Sequence, residues 1–158
     1  MNRQISILKE LLGVKNNKKS YIEFDIHLSS FELENALLMP SDLVEYFKLI
    51  DNAANELSKD LSQFYTFDQF KSIKNELAHW GGVPDYRNIV NTLVQHENCF
   101  VFADYMSHLF AYAIRLYPNK TEVNEVYMIC GDKHKIVANS FSGFLDLYFN
   151  NSLELVTI

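Results

Sequence analysis

The chain has 158 residues, of which 48% are apolar and 22% charged, and it carries a formal net charge of −6. That length and composition fit one compact domain with a sizeable core and exclude a disordered chain. The acidic balance argues against nucleic acid as a partner, because neutralising phosphates takes a basic stripe.

The charge is unevenly placed. Residues 1–20 hold Arg3, Lys9, Lys15, Lys18 and Lys19 against Glu10, whereas residues 21–60 hold nine acids against Lys48 and Lys59. An acidic face could hold a basic partner and speed its arrival, and a solvated surface carries the same signature. Cys99 and Cys130 have neither a metal-ligand spacing nor a disulfide framework, and both sit in apolar runs where a thiol behaves as a small hydrophobe. Ser6, Lys9 and Glu10 interrupt the run from Ile5 to Leu12, so no secretory h-region is expected there, and no apolar run is long enough to span a bilayer. A soluble, cytoplasmic protein is the expectation.

In chain order, "ISILKELLG" puts Ile5, Leu8 and Leu12 on one helical stripe, with Gly13 available as a left-handed stop. "VKNNKKS" reads as a polar linker. The domain reading is therefore an N-terminal helix and linker over residues 1–19 and a single domain over 20–158. "YIEFDIHL" alternates Tyr21, Glu23, Asp25 and His27 against Ile22, Phe24, Ile26 and Leu28, which predicts a half-buried strand or extended arm.

"FELENALLMPSDLVEYFKLI" predicts a short helix, a break before Pro40 and a second helix started by Ser41 and Asp42, with Leu43, Tyr46, Phe47 and Ile50 on one face. "DNAANELSKD" reads as a polar connection. In "FYTFDQFKSIKNELAHWGG", Thr66 and Gln69 have capping-box spacing, and Phe70, Ile73, Leu77 and Trp80 form the stripe of a helix ended by Gly81 and Gly82. Pro84 is placed to open a further helix with Ile89, Leu93 and Val94 inward.

From Asn98 the period becomes two. "NCFVFADY" sets Phe100, Phe102 and Asp104 against Cys99, Val101, Ala103 and Tyr105. "LFAYAIRLY" sets Phe110, Tyr112, Ile114 and Leu116 against Leu109, Ala111, Ala113 and Arg115. "EVYMIC" and "KHKIVAN" complete four consecutive strands. Gly131-Asp132 between the last two predicts a two-residue hairpin turn, with Cys130 paired to Lys133 and Tyr127 to Ile136. Ser140 is a natural N-cap for a helix in which Phe141, Phe144, Leu145, Tyr148 and Phe149 follow i, i+3, i+4, i+7, i+8 spacing, with Asn150-Asn151 as a left-handed end. The fold class expected is α+β: an antiparallel sheet of four or more strands packed by N-terminal helices and a C-terminal helix.

Catalytic chemistry is not legible. His27, His79, His96, His108 and His134 are scattered, with no metal-ligand spacing among them, and there is no nucleophile elbow. Gly81-Gly82 follows a helix and so cannot cradle phosphate at a helix start. Asp104 could present a carboxylate to a partner, though capping the turn "MSHL" through a backbone N–H is the preferred reading. Arg115 is expected to pair with a carboxylate or to snorkel from the sheet edge, and His134 to face solvent. No cofactor or metal is expected.

The segment "FVFADYMSHLFAYAIRL…NEVYMICGDKHKIVANSFSGFLDLYF" resembles the SUKH superfamily, the Smi/Knr-type domain of fungal cell-wall regulators and bacterial immunity proteins. The matching features are strands of "FADY", "YAIRL" and "VYMI" type, a hairpin, and a closing helix of "SF-x-x-FL-x-x-Y" form. Upstream, "LMPSDLVEYFKLI" is similar to the family's Leu-Pro-x-Asp helix, with Met39 in the leucine place, and the resemblance runs from Leu33 to Asn151. It implies a non-enzymatic protein-binding module, an immunity protein that neutralises a cognate toxin, often a nuclease, by direct binding. A regulatory scaffold of the same fold and a small-molecule-binding domain are the alternatives. Asp42, Glu45, Asp51 and Asp104 are the candidate partner contacts.

Overall fold

The computed structural model describes residues 2–13, 21–50, 57–59 and 61–158. It is an α+β fold in which one antiparallel sheet divides two apolar layers. The helices are α1 (Arg3–Leu11), α2 (Ile22–Asn35), α3 (Ser41–Ile50), α4 (Ile73–Leu77), α5 (Ile89–Thr92) and α6 (Phe141–Phe149). The strands are β1 (Leu57–Lys59), β2 (Ser62–Phe64), β3 (Lys71–Ser72), β4 (Cys99–Tyr105), β5 (Phe110–Arg115), β6 (Val126–Cys130) and β7 (Lys133–Ala138).

Strand order is β1-β2-β4-β5-β6-β7, and β3 pairs with β4 beside β2. β3 meets Phe100 and Val101 of β4, and β2 meets Ala103, Asp104 and Tyr105. The four predicted consecutive strands are therefore a meander, β4 to β7, extended by a hairpin from the first half of the chain. The β6–β7 turn has the predicted register, Cys130 to Lys133 and Tyr127 to Ile136, with Gly131 at a φ of 64°. Glycine takes that left-handed conformation without a Cβ clash.

The first layer lies under α1, α2, α3 and α6. Ile5, Leu8, Leu43, Tyr46, Phe47 and Ile50 are buried there with Phe141, Phe144 and Leu145. α1 thus shares its core with α3 and α6. Ser140 Oγ accepts from Gly143 N at 2.9 Å and starts α6, whose Phe141 and Phe144 rings meet Phe102 at centroid separations of 5.2 and 4.9 Å. The helix ends with Asn151 at a φ of 50°, the left-handed end expected of that asparagine pair. The second layer, on the other face, holds Ile73, Leu77, Trp80, Tyr86, Ile89 and Leu93 over Cys99, Val101, Ala111, Ala113, Tyr127 and Ile129.

Four sequence expectations are corrected. The segment Tyr21–Leu28 is no strand: Ile22–Asn35 forms one helix, closed by Ala36 at a φ of 53°. A step of two residues is about 200° around a helix, so alternate apolar residues can divide between opposite helix faces as readily as between sheet faces. Phe24 is buried and Leu28 and Phe31 pack against the core, whereas Ile22, Ile26 and Leu33 lie on the opposite side and are exposed.

The expected helix after Thr66 is broken up. Thr66 N does donate to Gln69 Oε1 at 2.9 Å, but the box closes only a single 3-10 turn, Phe67–Gln69. Phe70 is then extended, β3 follows, and Ser72 starts α4 afresh by accepting from Asn75 N at 3.3 Å. The stripe is divided, with Phe70 in the first layer and Ile73, Leu77 and Trp80 in the second.

The helix expected after Pro84 is limited to Ile89–Thr92, and Val94, expected inward, is 75% exposed. The Arg115 guanidinium donates to Val94 O at 2.6 Å and to Gln95 Oε1 at 2.9 Å, holding the chain in a non-helical course there. Residues 51–60, read as a polar connection, contain β1 at Leu57–Lys59, with the remainder outside the described residues.

Candidate functional site

Asp104 reaches its position through a β-bulge. β4 pairs Val101 with Ala113 and then Ala103 with Tyr112, so Phe102 is an extra residue and the alternation inverts after it. Ala103 joins Phe100 and Phe102 in the first layer, and Asp104, opposite Ala111, turns to the second face. The strict alternation expected from the sequence, which grouped Asp104 with Phe100 and Phe102, fails at that bulge.

The β4–β5 turn wraps around the Asp104 carboxylate. Its Oδ1 accepts from His108 N at 2.7 Å, which is the backbone cap expected of it. Met106, Ser107 and His108 have φ values of 51°, 50° and 80°. Three successive left-handed residues without a glycine store strain that the surroundings must hold in place. The restraint is visible: Tyr86 Oη donates to His108 O at 2.7 Å and to Leu109 O at 3.0 Å, and the Trp80 ring stacks on the His108 imidazole at 3.9 Å.

His108 Nδ1 also lies 2.8 Å from Asp104 Oδ2, too far off the N–H axis to form a hydrogen bond, so it is an ion pair whenever the imidazole is protonated. The two side chains line a groove of about 430 Å³ with Leu61, Ser62, Gln63, Met106 and Ser107. The groove offers one buried carboxylate and one imidazole, and suits a cationic or hydrogen-bond-donating group. Acyl-transfer chemistry needs in addition a nucleophile bonded to the imidazole. Ser62 and Ser107 line the groove, but among the described residues no hydroxyl bonds the His108 imidazole.

The other candidate contacts are engaged within the fold. Asp42 Oδ1 accepts from Leu43 N at 2.8 Å, and its Oδ2 accepts from Ser142 N at 2.9 Å and Ser142 Oγ at 3.0 Å. Glu45 accepts the backbone N–H of Asn2, tying the start of α1 to α3. Asp51 lies outside the described residues. The structure therefore does not bring the four acids together: Asp42 and Glu45 join helices on one layer, and Asp104 is on the opposite face.

Arg115 departs from both expectations for it. Its partners are Val94 O and Gln95 Oε1 in place of a carboxylate, its guanidinium lies 5.4 Å from the Tyr127 ring centroid, and it is buried. His134 is half-buried, with Nε2 3.2 Å from Thr92 O, where solvent exposure was expected. Burial pushes the Cys99 thiol up to about 11, against which the adjacent Arg115 acts. Tyr65 is held well above its usual range by burial first and then by the Glu76 and Asp104 carboxylates. Its hydroxyl donates to Glu76 Oε1 at 3.0 Å.

Sequence reasoning missed the Trp80–His108 stack, which joins residues far apart in the chain; the Asp104-x-x-x-His108 spacing at a turn was the signal available for the pair. Among the described residues no group of three or more His, Cys, Asp or Glu is placed to hold a metal ion. No described helix is long and apolar enough to cross a membrane. No family model, curated protein or solved structure matches the chain.

Proposed function

We propose that the chain is a non-enzymatic protein-binding module of the SUKH kind, an immunity protein that neutralises a toxin domain, of the nuclease class, by direct binding. The observation that supports this best is the block from β4 to α6. "FADY", "YAIR" and "VYMI" lie on three successive antiparallel strands, the Gly131-Asp132 hairpin follows, and the Ser140-capped aromatic helix closes the core. That is the order of elements on which the resemblance rests. The net charge of −6 suits a nuclease, whose substrate-binding surface is basic.

The test is co-expression with a toxin domain encoded beside the gene for this chain. Restored growth and a stoichiometric complex are expected. Unrelieved toxicity with no complex counts against the reading.

One observation favours a second reading, a small-molecule-binding domain. The Asp104–His108 groove is concave and places a carboxylate beside an imidazole over a stacked indole. Binding of small cationic compounds that Asp104→Asn abolishes, with no protein complex formed, separates it from the first.

A further inference from the structure

α2 is apolar on two opposite sides. Phe24, Leu28 and Phe31 face the core, and Phe31 meets the Phe67, Phe70 and Phe100 rings at 5.8, 5.8 and 5.1 Å. On the outer side Ile26 is 59% and Leu33 84% exposed, with Ile22 in line with them. At about 100° per residue these outer positions fall within a narrow band directly opposite Phe24 and Phe31. Ser29 and Ser30, both exposed, lie between Ile26 and Leu33 and leave a low saddle in the ridge. Scattered surface hydrophobics need no explanation, but a ridge along one helix line is a different matter.

Acids border the ridge. Glu23 and Glu34 fall on one flank, both exposed, and Asp25 and Glu32 on the other. Asp25 is 3.2 Å from Lys48 Nζ, and Glu32 accepts from Met39 N at 3.0 Å. α2 itself carries no lysine or arginine.

We infer that the outer face of α2 is the docking surface for the protein partner, and that it takes an amphipathic helix whose apolar stripe is flanked by lysine or arginine. The inference rests on the protein-binding reading and names the surface used. Ile26 and Leu33 supply the apolar ridge, the two serines allow close approach of the partner's ridge, and the acidic borders select basic flanks. A second copy of this chain is disfavoured, because two such helices set face to face would oppose like-charged borders. An anionic membrane surface is repelled for the same reason.

The direct probe is a labelled helical peptide of about 18 residues with a leucine stripe flanked by lysines, beside a twin flanked by glutamates. The lysine peptide is expected to bind the full chain and the glutamate twin to fail. Ile26→Asp or Leu33→Asp should weaken binding on the order of 30-fold. Glu23→Lys with Glu34→Lys should weaken it less and reduce its salt dependence. Unchanged circular dichroism of each variant shows that the fold is intact, as substitution at exposed positions predicts.

No binding, equal binding of both peptides, or indifference to Ile26→Asp overturns the proposal. So does self-association that Ile26→Asp abolishes, which makes a second copy the occupant, and so does Ile26-dependent sedimentation with zwitterionic vesicles. If the Ile26→Asp, Leu33→Asp double variant keeps a native protein partner at full affinity, this surface is wrong and the protein-binding reading stands. If the unaltered chain binds no protein, that reading fails first.

Discussion

Asp42 and Ser142 stand 100 residues apart in the chain, yet one carboxylate oxygen accepts from both the backbone N–H and the hydroxyl of that serine. The bond joins the first turn of α3 to the first turn of α6, and the other oxygen of Asp42 accepts from Leu43 N. A charged acceptor at two helix starts is favoured by their unsatisfied N–H groups. Asp42→Ala should therefore lower unfolding free energy by about 2 kcal/mol, and Ser142→Ala by less, since the backbone bond survives. Urea denaturation of both single variants and the double variant checks this; the pair should be non-additive.

Arg115 is buried with its guanidinium on Val94 O and Gln95 Oε1, and its Nε lacks a hydrogen-bond partner. Arg115→Lys cannot reach both acceptors with the same planar fork. A loss of about 2 kcal/mol is expected, together with faster amide exchange around Gln95 while the β4–β5 strands stay protected. Equal loss of protection throughout the sheet would show that Arg115 holds up more than that segment.

Gly131 is held at a φ of 64°, and a Cβ there would lie 3.1 Å from Asp85 O. Gly131→Ala should cost about 1–2 kcal/mol through backbone strain. The β6–β7 amides should lose protection first in hydrogen exchange.

Alkaline pH should lower the stability of the fold through its buried thiol and phenols. The Cys99 thiol is raised by burial from 9.0 to about 11, so the folded state favours its neutral form. That contribution is complete below pH 9 and is lost as pH rises toward 11, a change on the order of 2–3 kcal/mol. Burial also raises Tyr46 and Tyr112, extending the loss above pH 10. Urea midpoints should fall between pH 9 and 11, and Cys99→Ala should flatten the first part of that fall. Thiol labelling at neutral pH should reach half-buried Cys130 before buried Cys99.

The second half of the chain was legible because its signals are local. A two-residue turn fixes register, and Ser140 with a 3.6-period aromatic pattern fixes α6, so the meander and its closing helix follow from neighbours in sequence. α2 was not legible because an apolar period of two fits either a strand or a helix that is apolar on two opposite sides, and the outer side of α2, with Ile26 and Leu33, is exposed. The Thr66 box formed but could not extend a helix, since β3 pairing with Phe100 and Val101 of β4 draws Lys71 and Ser72 into the sheet.

For the candidate site, Asp104's capping role was readable from its place before a turn. Its face was not, since the Phe102 bulge depends on pairing with β5. Asp42 and Glu45 read as surface acids because their partners, Ser142 and Asn2, are remote in sequence.

The most direct measurement is light scattering on the chain purified from its native cell under gentle conditions, with the mass of any complex resolved. A one-to-one complex with a second protein that carries a basic surface, inactive while bound and toxic once released, is the predicted result. A chain that elutes alone at its own mass from its native cell would contradict the protein-binding claim.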